Sequence, residues 1–252
     1  LWLYTVAKNR PLSFLDHHLR CGNSLIGAKI DDLGSLPDLS RKKKQEKGKY
    51  KQLDLFESAF KEKVNILLKS FELIEACPSD KVEQIRKKEK HYEEFRKLVS
   101  RFQDVADVWT SVYFGNEVRW SDYQQMQANL KATEEEWEEL KTEEWFRRAK
   151  ENAREKAFFH WELEFPEVFF EGHRRKQKPG FDAVVGNPPY DVISEKEQQK
   201  DTEADKRFFS FTSFYQPALG SKLNLYRLFV ALSVNLLRKN GRHGFIVPLA
   251  LL

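Results

Sequence analysis

Cysteine is scarce in this 252-residue sequence: Cys21 and Cys77 stand far apart, with no partners at metal-ligand spacing, so no disulfide framework or cysteine metal cluster is expected. Both read as reduced thiols, and the expected compartment is the cytoplasm. Long apolar runs are missing too. No stretch approaches the ~18 consecutive apolar residues of a membrane span. The opening Leu1-Trp2-Leu3-Tyr4 has neither an initiator methionine nor a basic segment, so it reads as the interior of a longer protein rather than as a signal peptide. Glycines are scattered: Gly34, Gly48, Gly115 and Gly172 never fall in a strand–Gly-x-Gly–helix pattern, which excludes a recognisable glycine-rich cofactor loop. A Pro-Asp…Glu-x-Lys nuclease pattern is also lacking.

The residues that are present, 40% hydrophobic and 33% charged, suit one or two globular domains with long solvated helices. A net charge of +4 is compatible with nucleic acid without requiring it. Residues 1–9 read as the end of a helix stopped before Pro11. Residues 12–27 alternate and then turn, which predicts a strand ending at Gly22-Asn23-Ser24. The adjacent His17 and His18 raise the question of a metal, but no third ligand stands nearby in sequence, so they read as structural. The basic run 41–51 reads as a solvated loop, with phosphate contact as the sharper alternative.

From 52 to 158 the period becomes helical. Leu53, Phe56, Phe60, Val64, Leu67, Phe71 and Ile74 recur at three- and four-residue steps until Cys77-Pro78 stops them. Ser79 or Asp80 opens a second helix along Val82, Ile85, Tyr92, Phe95, Leu98, Phe102, Val105 and Trp109, closed by Gly115 and Asn116. Ser121 with Gln124, and Thr133 with Glu136, predict two further helix starts. Their apolar positions include Met126, Leu130, Trp137, Leu140 and Trp145, expected as packing, with an antiparallel coiled-coil pair in the region.

The most informative stretch is Phe181-Asp182-Ala183-Val184-Val185-Gly186-Asn187-Pro188-Pro189-Tyr190. Small and β-branched residues predict a buried strand, and Gly186 before two prolines ends it, because proline cannot donate to a sheet ladder. Asn187 and Tyr190 then stand at the strand's carboxyl end, where open α/β sheets bind ligands. Downstream, residues 224–239 predict a helix closed by Gly241, and Gly244-Phe245-Ile246-Val247-Pro248 a further strand. The polar stretches 171–180 and 193–207 read as loops.

This decapeptide resembles motif IV of the class I, S-adenosylmethionine-dependent DNA methyltransferases that modify the N6 amine of adenine. The resemblance implies an α/β fold: an incomplete Rossmann-like sheet, formed by residues 1–30 and 159–252, carrying an all-α insertion over 31–158. It implies catalytic roles for Asn187, Pro188, Pro189 and Tyr190, and cofactor contacts from Asn23 (motif III) and Phe229 (motif V). S-adenosylmethionine is the implied cofactor and double-stranded DNA the implied partner, with no metal. The family's glycine-rich loop and acidic ribose contact are not found here and are expected upstream. The long insertion, with Phe159-His160-Trp161-Glu162-Leu163-Glu164-Phe165 before motif IV, resembles the type IIG restriction-modification and phage-defence methylases. A non-catalytic helical scaffold or DNA-binding module, and a methyltransferase for protein glutamine or RNA amines, remain the competing readings.

Overall fold

The computed structural model of the protein describes residues 15–39, 54–193, 202–220 and 223–248. The expected first helix, the basic run 41–51 and the polar stretch 194–201 lie outside the described residues.

Helix α1 (Asp54–Ala76) buries Phe56, Phe60, Val64, Leu67, Phe71 and Ile74, the stripe its spacing predicts, and ends before Cys77-Pro78. Helix α2 (Val82–Ser111) begins after Lys81, where the Gln84 side-chain oxygen accepts the backbone N–H groups of Asp80 and Lys81, both at 3.0 Å. The two helices run antiparallel. Phe71 meets Phe95 near the hairpin turn, and Phe60 meets Phe102 further along, with ring centroids 6.4 and 5.4 Å apart. Gly115, at φ 81°, closes the turn after α2 in the left-handed conformation that glycine adopts without a Cβ clash.

Helix α3 (Trp120–Ala128) corrects one expected start. Its cap is Arg119, and Ser121 falls inside the first turn. Arg119 pairs with Asp122 through two contacts, at 2.8 and 2.9 Å, and the Tyr123 N–H bonds Arg119 O, so the helix begins two residues early. Helix α4 (Glu134–Leu140) has the reciprocal Thr133–Glu136 capping box that the sequence predicts. Helix α5 (Glu144–Lys156) packs along α2, where Lys150 bridges Asp104 at 2.8 Å and Asp107 at 2.6 Å.

Short helices α6 (Trp161–Glu164) and α7 (Pro166–Phe169) lead into the hairpin β1 (Phe170–Glu171) and β2 (Arg174–Arg175), where a plain loop was expected. After β3 (Phe181–Gly186) and β4 (Val192–Ile193), residues expected as polar loop instead form helix α8 (Glu203–Phe211), held by buried Phe208 and Phe209. Then come β5 (Leu223–Asn224), α9 (Leu225–Leu236) and β6 (Leu237–Phe245). Helix α9 ends before the predicted Gly241 because Leu237 already pairs with Phe181 of β3. The ladder then skips to Ala183↔Arg242, and the extra residues form a bulge around Asn240, at φ 68°.

Among the described residues the strands make three two-stranded sheets, and β3–β6 is the parallel one. The strand expected to end at Asn23 is not formed there: residues 16–18 are a turn, and Asn23 makes a one-residue parallel bridge to Phe158. The Asn23 N–H bonds Ala157 O at 2.6 Å, but Ile26 N–H turns back onto Asn23 O, so no second rung forms beside it. Strand β3 is also not buried as expected. Val185 is 82% exposed, because β3 has a single neighbour strand and its outer face is uncovered by the described residues.

One continuous buried cluster runs from Leu25 and Ile30 through the helical hairpin to Leu228, Leu232 and Leu236. Polar bonds fasten the 24–33 segment to it. His160 Nδ1 accepts the Ala28 N–H at 3.0 Å, which leaves Nε2 to carry the proton and donate to Asp107, also at 3.0 Å. Glu162 accepts the Ile30 N–H at 2.8 Å and two bonds from Arg175.

Candidate active site

The site is built where β3 stops. Gly186 lies against the Phe245 ring: a Cβ there would come within 3.0 Å of it, so glycine lets the two parallel strands end close together. Pro188 and Pro189 then offer no N–H groups, and the chain leaves the ladder as an exposed loop with Asn187 at its start. The far end of the loop is pinned by Leu225 N–H bonding Asp191 O at 2.9 Å, at the entrance of α9.

Helix α9 closes the other side. Phe229, Leu232, Ser233 and Leu236 share one face by helical spacing and line a cavity of about 240 Å³ together with Asn187, Pro188, Pro189, Val184, Gly186, Phe245, Ser24 and Trp161. The Ser233 hydroxyl donates to Val230 O at 2.8 Å, so it accepts from His243 Nε2 at 2.8 Å, which orders the wall between helix and sheet.

Four of the six residues singled out in the sequence therefore meet: Asn187, Pro188, Pro189 and Phe229. Pro188 is buried, whereas Asn187 is exposed and open to an incoming group. Tyr190 stands at the rim, 47% exposed, its ring edge-on to Tyr226 and its hydroxyl 3.4 Å from Asn187 Oδ1 and 3.3 Å from Ile246 O. Asn23 is not part of the lining. Its side-chain oxygen accepts the Leu25 N–H at 3.2 Å within its own turn, and its neighbour Ser24 lines the cavity instead.

Trp161 is the residue that sequence reasoning passed over. Its indole N–H bonds Ser24 O at 3.0 Å, and its ring lies between this cavity and a second one of about 210 Å³ lined by Lys29, Asp31, Glu162, Arg175 and Asn235 among others. Nothing in its local sequence separated it from the neighbouring packing aromatics. Burial would lower the Arg175 pKa, but Glu162 and Asp31 raise it above the ordinary value, so a guanidinium paired with both carboxylates borders that second cavity.

The chemistry available is acceptance of hydrogen bonds from an amine. Asn187 and Pro188, whose carboxamide and backbone oxygens are acceptors, both line a mostly apolar cavity with aromatic walls. Among the described residues no carboxylate lines that cavity, so the residues that do line it suit a flat methyl acceptor and an aromatic contact, and do not fit the ribose or amino-acid portion of a nucleoside cofactor.

Residues 24–252 match the family model of the Eco57I restriction-modification methylases. The chain belongs to that family. It is accordingly a methyltransferase of the restriction-modification kind, with DNA as its substrate class, and such methylases generally use S-adenosylmethionine. No curated protein and no solved structure is significantly similar to it. None of the helices among the described residues is long and apolar enough to cross a membrane.

Proposed function

We propose that this Eco57I-family chain methylates the exocyclic N6 of adenine in duplex DNA, within a type IIG-like restriction or phage-defence enzyme. The observation that carries the reading is the shared cavity of Asn187, Pro188, Pro189 and Phe229 at the carboxyl end of a parallel strand pair. In this reading β3, α9 and β6 belong to a Rossmann-like sheet, with the helices of 54–156 inserted ahead of them.

The exocyclic amine of adenine is a poor nucleophile, because its lone pair is delocalised into the ring. Asn187 Oδ1 and the Pro188 carbonyl accept its two N–H bonds, draw the nitrogen toward tetrahedral geometry and stabilise the positive charge that develops on it. Two successive prolines restrict the loop and hold both acceptors in place. Before substrate arrives the Tyr190 hydroxyl divides its one proton between Asn187 Oδ1 and Ile246 O at long distances, so little is lost when the base replaces it at Asn187. Tyr190 then gives a face for the extruded base, a contact of about 1–3 kcal/mol. The cofactor supplies the methyl group, and its ribose and amino-acid ends require groups beyond those lining this cavity.

The test is Asn187→Ala in the intact methylase, read as N6-methyladenine in digested duplex DNA. Removing one preorganised partner of the developing charge is expected to lower turnover by about 100-fold or more. Turnover within about tenfold of the unmutated enzyme, or methyl appearing on protein glutamine or RNA instead of DNA, refutes the reading.

A further inference from the structure

Away from the cavity, two histidines and a glutamate from distant parts of the chain converge. His17 and His18 occupy the turn that follows Leu15, and Glu75 is the penultimate residue of α1. His17 Nε2 lies 2.6 Å and His18 Nε2 3.0 Å from one and the same oxygen, Glu75 Oε1. The three ligand atoms fall within 4.8 Å of one another. The rings are 3.9 Å apart and tilted by 38°, and Phe71 packs edge-on against both, which limits their rotation. His17 is buried, whereas the side chains of His18 and Glu75 are half exposed.

We propose that His17, His18 and Glu75 form a binding site for a divalent transition-metal ion of the zinc class, which clips the 15–33 segment to the end of α1. Two imidazole nitrogens and one carboxylate oxygen are the donors that zinc prefers, whereas magnesium and calcium require oxygen ligands throughout. Tetrahedral bonds of about 2.1 Å place ligand atoms roughly 3.4 Å apart, so the two histidine–glutamate separations, 2.6 and 3.0 Å, need to open by less than about 1 Å. Glu75, in the last turn of α1 with its side chain half in solvent, has the freedom to make that adjustment. Three protein ligands leave a fourth position, on the exposed side of His18, for water. The clip closes the long loop between His18 and Glu75 and steadies the segment carrying Ser24 and Gly27 against the active-site wall.

The test is calorimetric titration of chelator-treated protein with zinc chloride, with cobalt(II) as a spectroscopic probe. One ion per chain is expected, with Kd of about 1 μM or tighter, and cobalt is expected to show the visible bands of a tetrahedral nitrogen–oxygen site. His18→Ala and Glu75→Gln alter half-exposed side chains, so both are expected to keep the native circular dichroism and to weaken binding by about tenfold or more. Cys21→Ser and His173→Ala are expected to bind as the unmutated protein does. Absence of binding at about 100 μM zinc, unchanged affinity in both ligand variants, or loss of binding in Cys21→Ser overturns the proposal.

Discussion

Replacing Gly27 by alanine tests how the active-site wall is assembled. An ideal Cβ on Gly27 stands 2.0 Å from Phe159 O and 2.7 Å from Phe159 C, both backbone atoms, so no side-chain rotation relieves the overlap. The contact lies between two hydrogen bonds that tie the segments together: Phe159 N–H to Ile26 O at 2.7 Å, and Ala28 N–H to His160 Nδ1 at 3.0 Å. Separating the backbones by about 1 Å costs about 1–3 kcal/mol as overpacking, and weakening two hydrogen bonds adds about 0.5–1.5 kcal/mol each. The expected loss is therefore about 2–6 kcal/mol, or a Tm lower by at least about 5 °C for a chain of this size. Denaturant unfolding followed by tryptophan fluorescence measures it, since Trp161 packs onto Ser24 in the same wall. Gly34→Ala is the control: its Cβ meets nothing within 4 Å, and its expected change is within about 1 kcal/mol. A loss below about 1 kcal/mol in Gly27→Ala would refute the close backbone approach.

Other consequences can be checked separately. Burial raises the Glu167 pKa from 4.5 to about 7, against the lowering influence of its own backbone N–H and of Arg20 and Lys176. Because the folded value lies above the unfolded one, the stability this group contributes is complete below pH 4.5 and is lost as the pH rises through 7. Glu167→Gln should match the unmutated protein at acid pH and exceed it by about 2 kcal/mol at pH 8, allowing for partial exposure; equal stability at both pH values in urea titrations would contradict this. Tyr190→Ala in the intact methylase should weaken base capture about tenfold or more, and equal fluorescence from a base analogue at the target position would exclude the stacking role. The chain by itself should bind S-adenosylmethionine no tighter than about 1 mM, because the aromatic face of Phe229, with Asn23 turned to its own Leu25 N–H, does not offset an immobilisation cost of at least ~4 kcal/mol. Micromolar calorimetric affinity would show that the main cofactor grip lies within it.

The parts of the protein legible in its sequence are those decided by local physics. Helical spacing located α1 and α2, because an amphipathic stripe must face a core whatever that core turns out to be. The Thr133–Glu136 box was readable for the same reason: cap and partner lie three residues apart. The Gly186-Asn187-Pro188-Pro189-Tyr190 break needed no tertiary information either, since proline ends a ladder in any context. Ser121 misled because an equally local pair, Arg119 and Asp122, outcompeted it for the helix start. Other features depended on residues far away in sequence. Whether Asn23 ends a strand depended on how many rungs its segment could share with residues 157–159, and the turn at 23–26 allowed one. The exposure of β3 was set by the number of neighbouring strands, and the convergence of His17 and His18 on Glu75 by the packing of a helix that begins dozens of residues later. Trp161 became a cavity wall through its bond to Ser24 O, 137 positions away. Periodicity, caps and chain breaks are short-range properties and were written in the sequence, whereas rung counts, shared walls and clustered ligands arise only when distant segments pack, so the tertiary structure alone decided them.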